Sequence, residues 1–194
     1  MHRLILIAAM LPLMATSGCG YNDLQRQDEI IKAQWGHVLN QYQRRFDLIP
    51  NLVRVVKAYA DHEREIMEEV AAARASIDSN ASDSPNDPKT LRSYEQAQER
   101  LGKAVFRLIG VSENYPQLKA DGVFQDLQVQ LEGTENRITY ARQRYIEAVA
   151  NYNITVRSFP SNFTAMYLGY GIKPNFTVDS ERAISTAPVV NVSK

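Results

Sequence analysis

The feature that most constrains the fold is a long stripe of apolar and small side chains between residues 124 and 159. Its members recur at alternating steps of three and four residues: Phe124, Leu127, Leu131, Thr134, Ile138, Ala141, Tyr145, Ala148, Tyr152, Thr155 and Phe159. This spacing places one side chain per turn on the same side of an α-helix and is typical of helices that pack along a seam. The sequence therefore predicts one helix of about 40 residues, about 60 Å long.

Three shorter segments show the same spacing and predict three further helices, at 24–46, 52–77 and 91–108. Asp47 is predicted to cap the second of these, with Pro50 in its first turn, where the missing N–H has no intrahelical partner anyway. Short connections between helices favour antiparallel neighbours. The predicted fold is all-α, an up-and-down antiparallel four-helix bundle with a long C-terminal helix, preceded by a signal or anchor segment.

The N-terminal segment has the composition of an export signal. Leu4 to Ala15 contains no charge and would span about 18 Å as a helix, less than the roughly 30 Å hydrocarbon core of a bilayer. Thr16-Ser17-Gly18 precedes Cys19 in a pattern that resembles the bacterial lipobox, whose cysteine is lipidated and becomes the first residue after cleavage. The alternative is an uncleaved signal anchor. Either one exports the rest of the chain and tethers it to a membrane, and several acyl chains such as palmitate would make the tether stable.

These interpretations divide the chain into four parts. They are a lipoprotein-type signal peptide at 1–18, a lipid-anchored entry at 19–22, a helical bundle domain at 23–172 and an irregular C-terminal tail at 173–194 that is expected to fray. The bundle domain is expected outside the cytoplasm, in the periplasm of a Gram-negative host. Gly20 lacks the aspartate usually associated with inner-membrane retention, which favours the outer membrane over the inner one.

Composition and motifs exclude several classes of function. Lys plus Arg equals Asp plus Glu, at 22 each, whereas nucleic-acid-binding surfaces are strongly basic. The single cysteine excludes an internal disulfide framework and a multi-cysteine metal site. The sequence contains no Glu-x-x-His pair for a di-iron site, no zinc-protease motif, no phosphate-binding glycine loop and no serine-hydrolase elbow. We therefore predict no metal, no cofactor and no catalytic residues, and expect His37 and His62 at helix edges.

Two adjacent arginines form the most suggestive polar site. Arg44 and Arg45 precede Asp47 and Pro50 at the predicted helix junction, and two guanidinium groups beside a helix N-terminus could hold a phosphate or a carboxylate. The alternative is structural: Asp47 caps the helix, and one arginine joins a polar network with Glu135 on the long helix. We favour the structural network, because polar groups at a helix seam are costly unless they bond across it.

Several sequence blocks resemble the LemA family. They are QYQRRFDLIPNLVRVVKAYADHE at 41–63, YPQLKAD at 115–121, LEGTENRITYARQRY at 131–145 and YNITVRSFPSNFTAMYLGY at 152–170. The resemblance covers the chain from Cys19 to about Phe176. It implies a membrane-tethered, mostly helical domain outside the cytoplasm with no agreed reaction. Family members often occur beside genes for TPM-domain proteins, so the resemblance also implies an envelope protein partner, with a TPM-domain protein as a candidate.

Two functional hypotheses follow from these observations. In the first, the protein is not an enzyme, and a tethered helical bundle presents a helical face to another envelope protein. In the second, the bundle is a binding module in which Arg44 and Arg45, at the Asp47 turn, hold an anion or a lipid headgroup.

Overall fold

The structure is a computed structural model that describes residues 2–78 and 87–176, with side chains from Gly20 onward. The described residues form six α-helices and one 3₁₀ turn, Val111–Asn114, and contain no β-strand. The α-helices are α1 (His2–Tyr59), α2 (Arg64–Asp78), α3 (Pro88–Gly110), α4 (Pro116–Lys119), α5 (Gly122–Arg157) and α6 (Ser161–Leu168). The all-α class predicted from the sequence is confirmed.

The two longest helices, α1 and α5, pack side by side in antiparallel orientation. Tyr59 meets Asp121 at one level, and Arg45 meets Glu135 14 residues further along each helix. Trp35 then meets Tyr145, ten residues further along both, with ring centroids 5.4 Å apart. The register is therefore constant, so the apolar stripes of the two helices stay in contact over this whole length.

The shorter helices α2 and α3 form a hairpin against the C-terminal half of α1. The Arg74 guanidinium on α2 lies 4.0 Å from the centre of the Phe46 ring on α1. Tyr94 on α3 makes an edge contact with Trp35, with ring centroids 5.8 Å apart. The core therefore draws buried residues from α1, α2, α3 and α5, and it is rich in aromatic rings.

The predicted helix junction at Asp47 and Pro50 is wrong, because α1 continues through both residues as one helix. Pro50 lacks the N–H that would bond to the carbonyl of Phe46. Ile49 and Leu52 on either side of it are fully buried, and this packing keeps the helix continuous across the missing bond. The chain instead turns at residues 60–63, between α1 and α2.

The predicted stripe on α5 is correct up to Tyr145 and again at Tyr152, whereas two positions beyond Tyr145 shift by one residue. Val149 and Val156 are buried where the sequence predicted Ala148 and Thr155. A straight α-helix has 3.6 residues per turn, so a strict seven-residue repeat drifts around the helix and an additional step of four restores contact. Phe159 lies beyond the end of α5 and is exposed rather than at the seam.

The segment 173–176 is irregular but packs against the helices instead of fraying. The backbone N–H and C=O of Lys173 both bond to the side chain of Asn153, each at 2.9 Å. The Lys173 Nζ lies 2.6 Å from a carboxylate oxygen of Asp28, and the Phe176 ring contacts Trp35 and Tyr145. The prediction of a frayed tail is therefore wrong for these four residues, and 177–194 lie outside the described part of the chain.

Candidate functional site

The structure separates the polar residues that the sequence grouped together. Arg45 points into the core and meets Glu135 of α5, with 2.7 Å between its guanidinium nitrogen and the carboxylate oxygen. Arg44, the residue before Arg45 on α1, faces solvent. Asp47 is exposed and accepts a hydrogen bond from Gln43 one turn earlier, inside α1 rather than at a helix end. The two arginines therefore do not converge on one ligand.

Arg45 occupies a seam position between Tyr42 and Ile49, where an apolar residue would continue the stripe. Its second guanidinium nitrogen donates to both the backbone and the side-chain oxygen of Gln98 on α3, at 3.0 and 2.5 Å. The guanidinium also lies 5.3 Å from the centre of the Tyr42 ring. Arg45 thereby links α1, α3 and α5 at one level of the molecule.

Gln98 and Thr134 complete this level from the neighbouring helices. Gln98 is buried and donates to the Tyr94 hydroxyl at 3.0 Å, one turn earlier on α3. Thr134 is fully buried, and its hydroxyl donates to the carbonyl of Gln130 at 2.7 Å. Sequence analysis missed Gln98, although the signal was present: Gln98 lies four residues after Tyr94 and three before Leu101, which is the spacing of the buried side of the predicted helix at 91–108.

We call Arg45, Gln98, Thr134 and Glu135 the polar layer. A second ion pair lies beside it. Arg142 on α5 donates to Glu95 on α3 at 3.0 Å, and its guanidinium lies 4.5 Å from the centre of the Phe176 ring. Between the two pairs is an open cavity of about 300 Å³. Its rim carries three cations and three carboxylates: Arg45, Lys103, Arg142, Glu95, Glu99 and Glu135. The charges balance, so the cavity has no excess of one sign with which to attract an anion.

Burial changes the ionisation of the tyrosines around the polar layer. Burial raises the pKa of Tyr94 to about 12, although the hydrogen bond from Gln98 acts in the opposite direction. Burial likewise raises the pKa of Tyr145 to about 12, and the nearby charge of Glu95 adds to the effect. Both phenols are therefore neutral at physiological pH and act as packing groups with a polar end.

The described residues also bear on membrane and metal binding. Among the helices of the described residues, none is both long and apolar enough to cross a membrane. In the same part of the chain, no three His, Cys, Asp or Glu side chains come together in a way that could hold a metal ion. The backbone of Cys19, the predicted lipidation site, is part of α1, but the structure does not describe its side chain.

Comparison with known proteins identifies the family. The model of the LemA family matches residues 34–192. The chain belongs to the LemA family. Two relatives are magnetosome proteins MamQ 1 and MamQ 2 of Paramagnetospirillum magneticum, each 24% identical over 87% of this chain and 70% of its own length. Magnetosome protein MamQ of Magnetospirillum gryphiswaldense is 23% identical over the same shares. The LemA match includes Arg45, Gln98 and Glu135, so the polar layer lies within the family domain.

Proposed function

We propose that this LemA-family protein is a membrane-tethered envelope protein without catalytic activity, and that its helical domain presents one face of α5 to another envelope protein. The tether is the predicted lipid on Cys19 or an uncleaved signal anchor. Similarity to proteins named for the magnetosome supports an association with membranes. We place the helical domain outside the cytoplasm, with the outer membrane favoured over the inner one.

The observation that carries the proposal is a row of exposed apolar side chains on α5. Val129, Tyr140 and Ile154 point away from the core and lie about three and four helical turns apart on the same side of the helix. The exposed polar residues Asn136, Gln143 and Glu147 lie between them on that side, so apolar and polar side chains alternate along this face. A helix face on which exposed apolar side chains stand among polar ones fits the helix of a partner protein, since interfaces combine apolar contacts with polar ones.

The geometry does not favour the alternative, an anion or headgroup site formed by Arg44 and Arg45. The proposed helix N-terminus does not exist, because α1 is continuous there. Arg45 is engaged by Glu135 and Gln98, and Arg44 faces another side of the helix. An incoming anion would have to displace Glu135 from a short charged hydrogen bond.

Copurification from detergent extracts of the native host tests the proposal. We expect a discrete protein to copurify with the wild-type chain and to be lost from a Val129→Ser, Tyr140→Ser double variant. Phe106→Ser is the control, because Phe106 is an aromatic residue on α3 that is more exposed than Val129 or Tyr140. A TPM-domain protein, which the family resemblance suggests, is the first candidate to look for.

Thermal melts of the purified variants show whether the substitutions leave the fold intact. The surface changes should leave stability within about 0.5 kcal/mol of the wild type. Equal recovery of the copurifying protein by both variants would contradict the assignment of the α5 face. A retained lipid or phosphate with no protein would support the binding-module alternative instead.

A further inference from the structure

Exposed apolar side chains are grouped on one side of α6 and in the turn before it. Phe163, Met166 and Tyr167 lie on one side of α6, and Tyr167 is 89% exposed. Phe159, in the turn before α6, makes an edge contact with Phe163, with ring centroids 6.0 Å apart. We call Phe159, Phe163, Met166 and Tyr167 the α6 patch. Large apolar side chains grouped on a surface mark a contact with a membrane or with a protein.

The opposite side of α6 packs against α1 at Gly20, where the described side chains of α1 begin. A Cβ placed on Gly20 would lie 3.5 Å from the side-chain oxygens of both Ser161 and Thr164. Ala165 is buried on this side, and Gln25 of α1 donates a hydrogen bond to the Tyr170 hydroxyl just after α6. The α6 patch is therefore held at the level of Gly20.

That level is where both anchor hypotheses place the membrane surface. If Cys19 carries acyl chains, these acyl chains enter the membrane from the residue next to Gly20. If the signal is uncleaved, the apolar segment ends at Ala15, about 8 Å from Gly20 along a continuous helix. In either case the α6 patch lies within about two helical turns of the bilayer.

The composition around α6 matches this location. Residues 158–172 contain no charged side chain, although the chain as a whole has 44 charged residues, 22 of each sign. Arg157 and Lys173 stand at the two ends of the uncharged stretch. Aromatic and apolar side chains with hydroxyl and amide groups between them are typical of segments that lie in the membrane interface.

We propose that α6 is an interfacial helix that inserts the α6 patch into the same membrane that holds the N-terminus. The inference rests on the membrane tether of the proposed function. It gives the protein a second membrane contact, which sets the α1–α5 pair at a defined angle to the membrane instead of leaving it to swivel on the anchor. Because the patch is uncharged, insertion needs no anionic lipid and resists salt.

Tryptophan emission from the full chain in vesicles tests the proposal. The purified full-length protein is reconstituted in phosphatidylcholine vesicles, with or without bromine atoms on the acyl chains, as a Tyr167→Trp or a Tyr140→Trp variant. The two positions are matched, since both are exposed tyrosines, and Tyr140 lies on α5 far from Gly20. The native Trp35 is buried in the core and gives the same background in both.

We expect the brominated lipid to quench the added emission of the Tyr167→Trp variant and to leave that of the Tyr140→Trp variant unchanged. Quenching should persist in high salt. Quenching of both variants to the same degree, of neither, or only in low salt would overturn the proposal. A blue shift that depends on protein density and not on bromine would assign the patch to a second copy of the chain and overturn it as well.

Flotation of the same vesicles on a density gradient separates the two proposals. If both variants float and Tyr167→Trp is not quenched, the interfacial helix is wrong and the tether stands. If the protein does not float, the tether itself is wrong, and the interfacial helix falls with it.

Discussion

Arg45 and Glu135 form an ion pair whose two members are unequally buried. The Arg45 side chain is 4% exposed, whereas that of Glu135 is 51% exposed. Removing Glu135 leaves a cation in the core with Gln98 as its remaining hydrogen-bonded partner, while removing Arg45 returns Glu135 to water. The cost of breaking the pair therefore comes mainly from the buried arginine.

A double-mutant cycle checks this asymmetry. Glu135→Ala should lower the free energy of unfolding by about 1–3 kcal/mol in the wild type, because a charged hydrogen bond is lost. In an Arg45→Met background the same change should cost almost nothing, since no buried cation remains. Urea unfolding of the four proteins gives the coupling, and Arg44→Met, at the exposed neighbour, should unfold like the wild type.

Phosphate distinguishes the structural pair from an anion site in the same set of proteins. A bound ligand stabilises only the protein that binds it. We expect phosphate to shift the melting temperature of the wild type and of Arg45→Met equally. A rise confined to the wild type, together with an equal cost of Glu135→Ala in both backgrounds, would restore the anion hypothesis.

At the scale of the elements, two prolines differ in their position within a helix and therefore in their effect on it. Pro88 is in the first turn of α3, where Asp87 caps the helix by accepting a hydrogen bond from the Thr90 N–H. Pro50 lies far inside α1, where it removes a helical hydrogen bond. The same residue type thus starts one helix and weakens another.

Replacing each proline by alanine checks the continuity of α1. Pro50→Ala restores the bond to the carbonyl of Phe46, and we expect it to raise the free energy of unfolding by about 1–3 kcal/mol. Pro88→Ala should have no such effect, because the first turn needs no donor there. Urea unfolding measures both variants. If Pro50→Ala changed stability as little as Pro88→Ala, a helix beginning near Asp47 would describe the chain better.

At the scale of the whole molecule, aromatic rings from α1, α3, α5 and the segment after α6 meet in the core. Trp35 of α1 contacts Tyr94 of α3, Tyr145 of α5 and Phe176 after α6, with ring centroids 5.4 to 6.0 Å apart. Such ring pairs add to the free energy of burial. Because two of these rings are phenols with a raised pKa, we expect the stability of the whole domain to fall at alkaline pH.

Alkaline unfolding checks this dependence. The pKa of Tyr145 is raised to about 12 in the folded protein, whereas an unfolded tyrosine ionises near pH 10. Above about pH 10 the unfolded state therefore releases its proton first, and stability falls by up to about 1.4 kcal/mol per pH unit for each such tyrosine. Below pH 10 the contribution is complete.

The Tyr145→Phe variant isolates this contribution. Its free energy of unfolding, measured with urea between pH 9 and 11.5, should fall less steeply than that of the wild type. The loss of other charges is common to both proteins and cancels in the comparison. Parallel curves would show that Tyr145 ionises in the folded state as it does in the unfolded one.

Local pattern was enough to predict that the chain is helical, because one apolar residue per turn is a property of the chain itself. It gave the all-α class, the stripe of α5 up to Tyr145 and a polar network between an arginine and Glu135. It also predicted an export segment before Cys19, which stays a prediction. Each of these depends on residues within a few turns of one another or on composition.

Packing between distant residues settled the rest. Pro50 and the turn at 60–63 both contradict local rules, since burial of Ile49 and Leu52 holds α1 together and the turn contains no glycine or proline. Whether Arg44 or Arg45 enters the core depends on which side of α1 faces α5, and the location of α6 beside Gly20 depends on the length of the α1–α5 pair. No short-range signal carries this information, because the free energy that selects these arrangements comes from contacts between residues far apart in the chain.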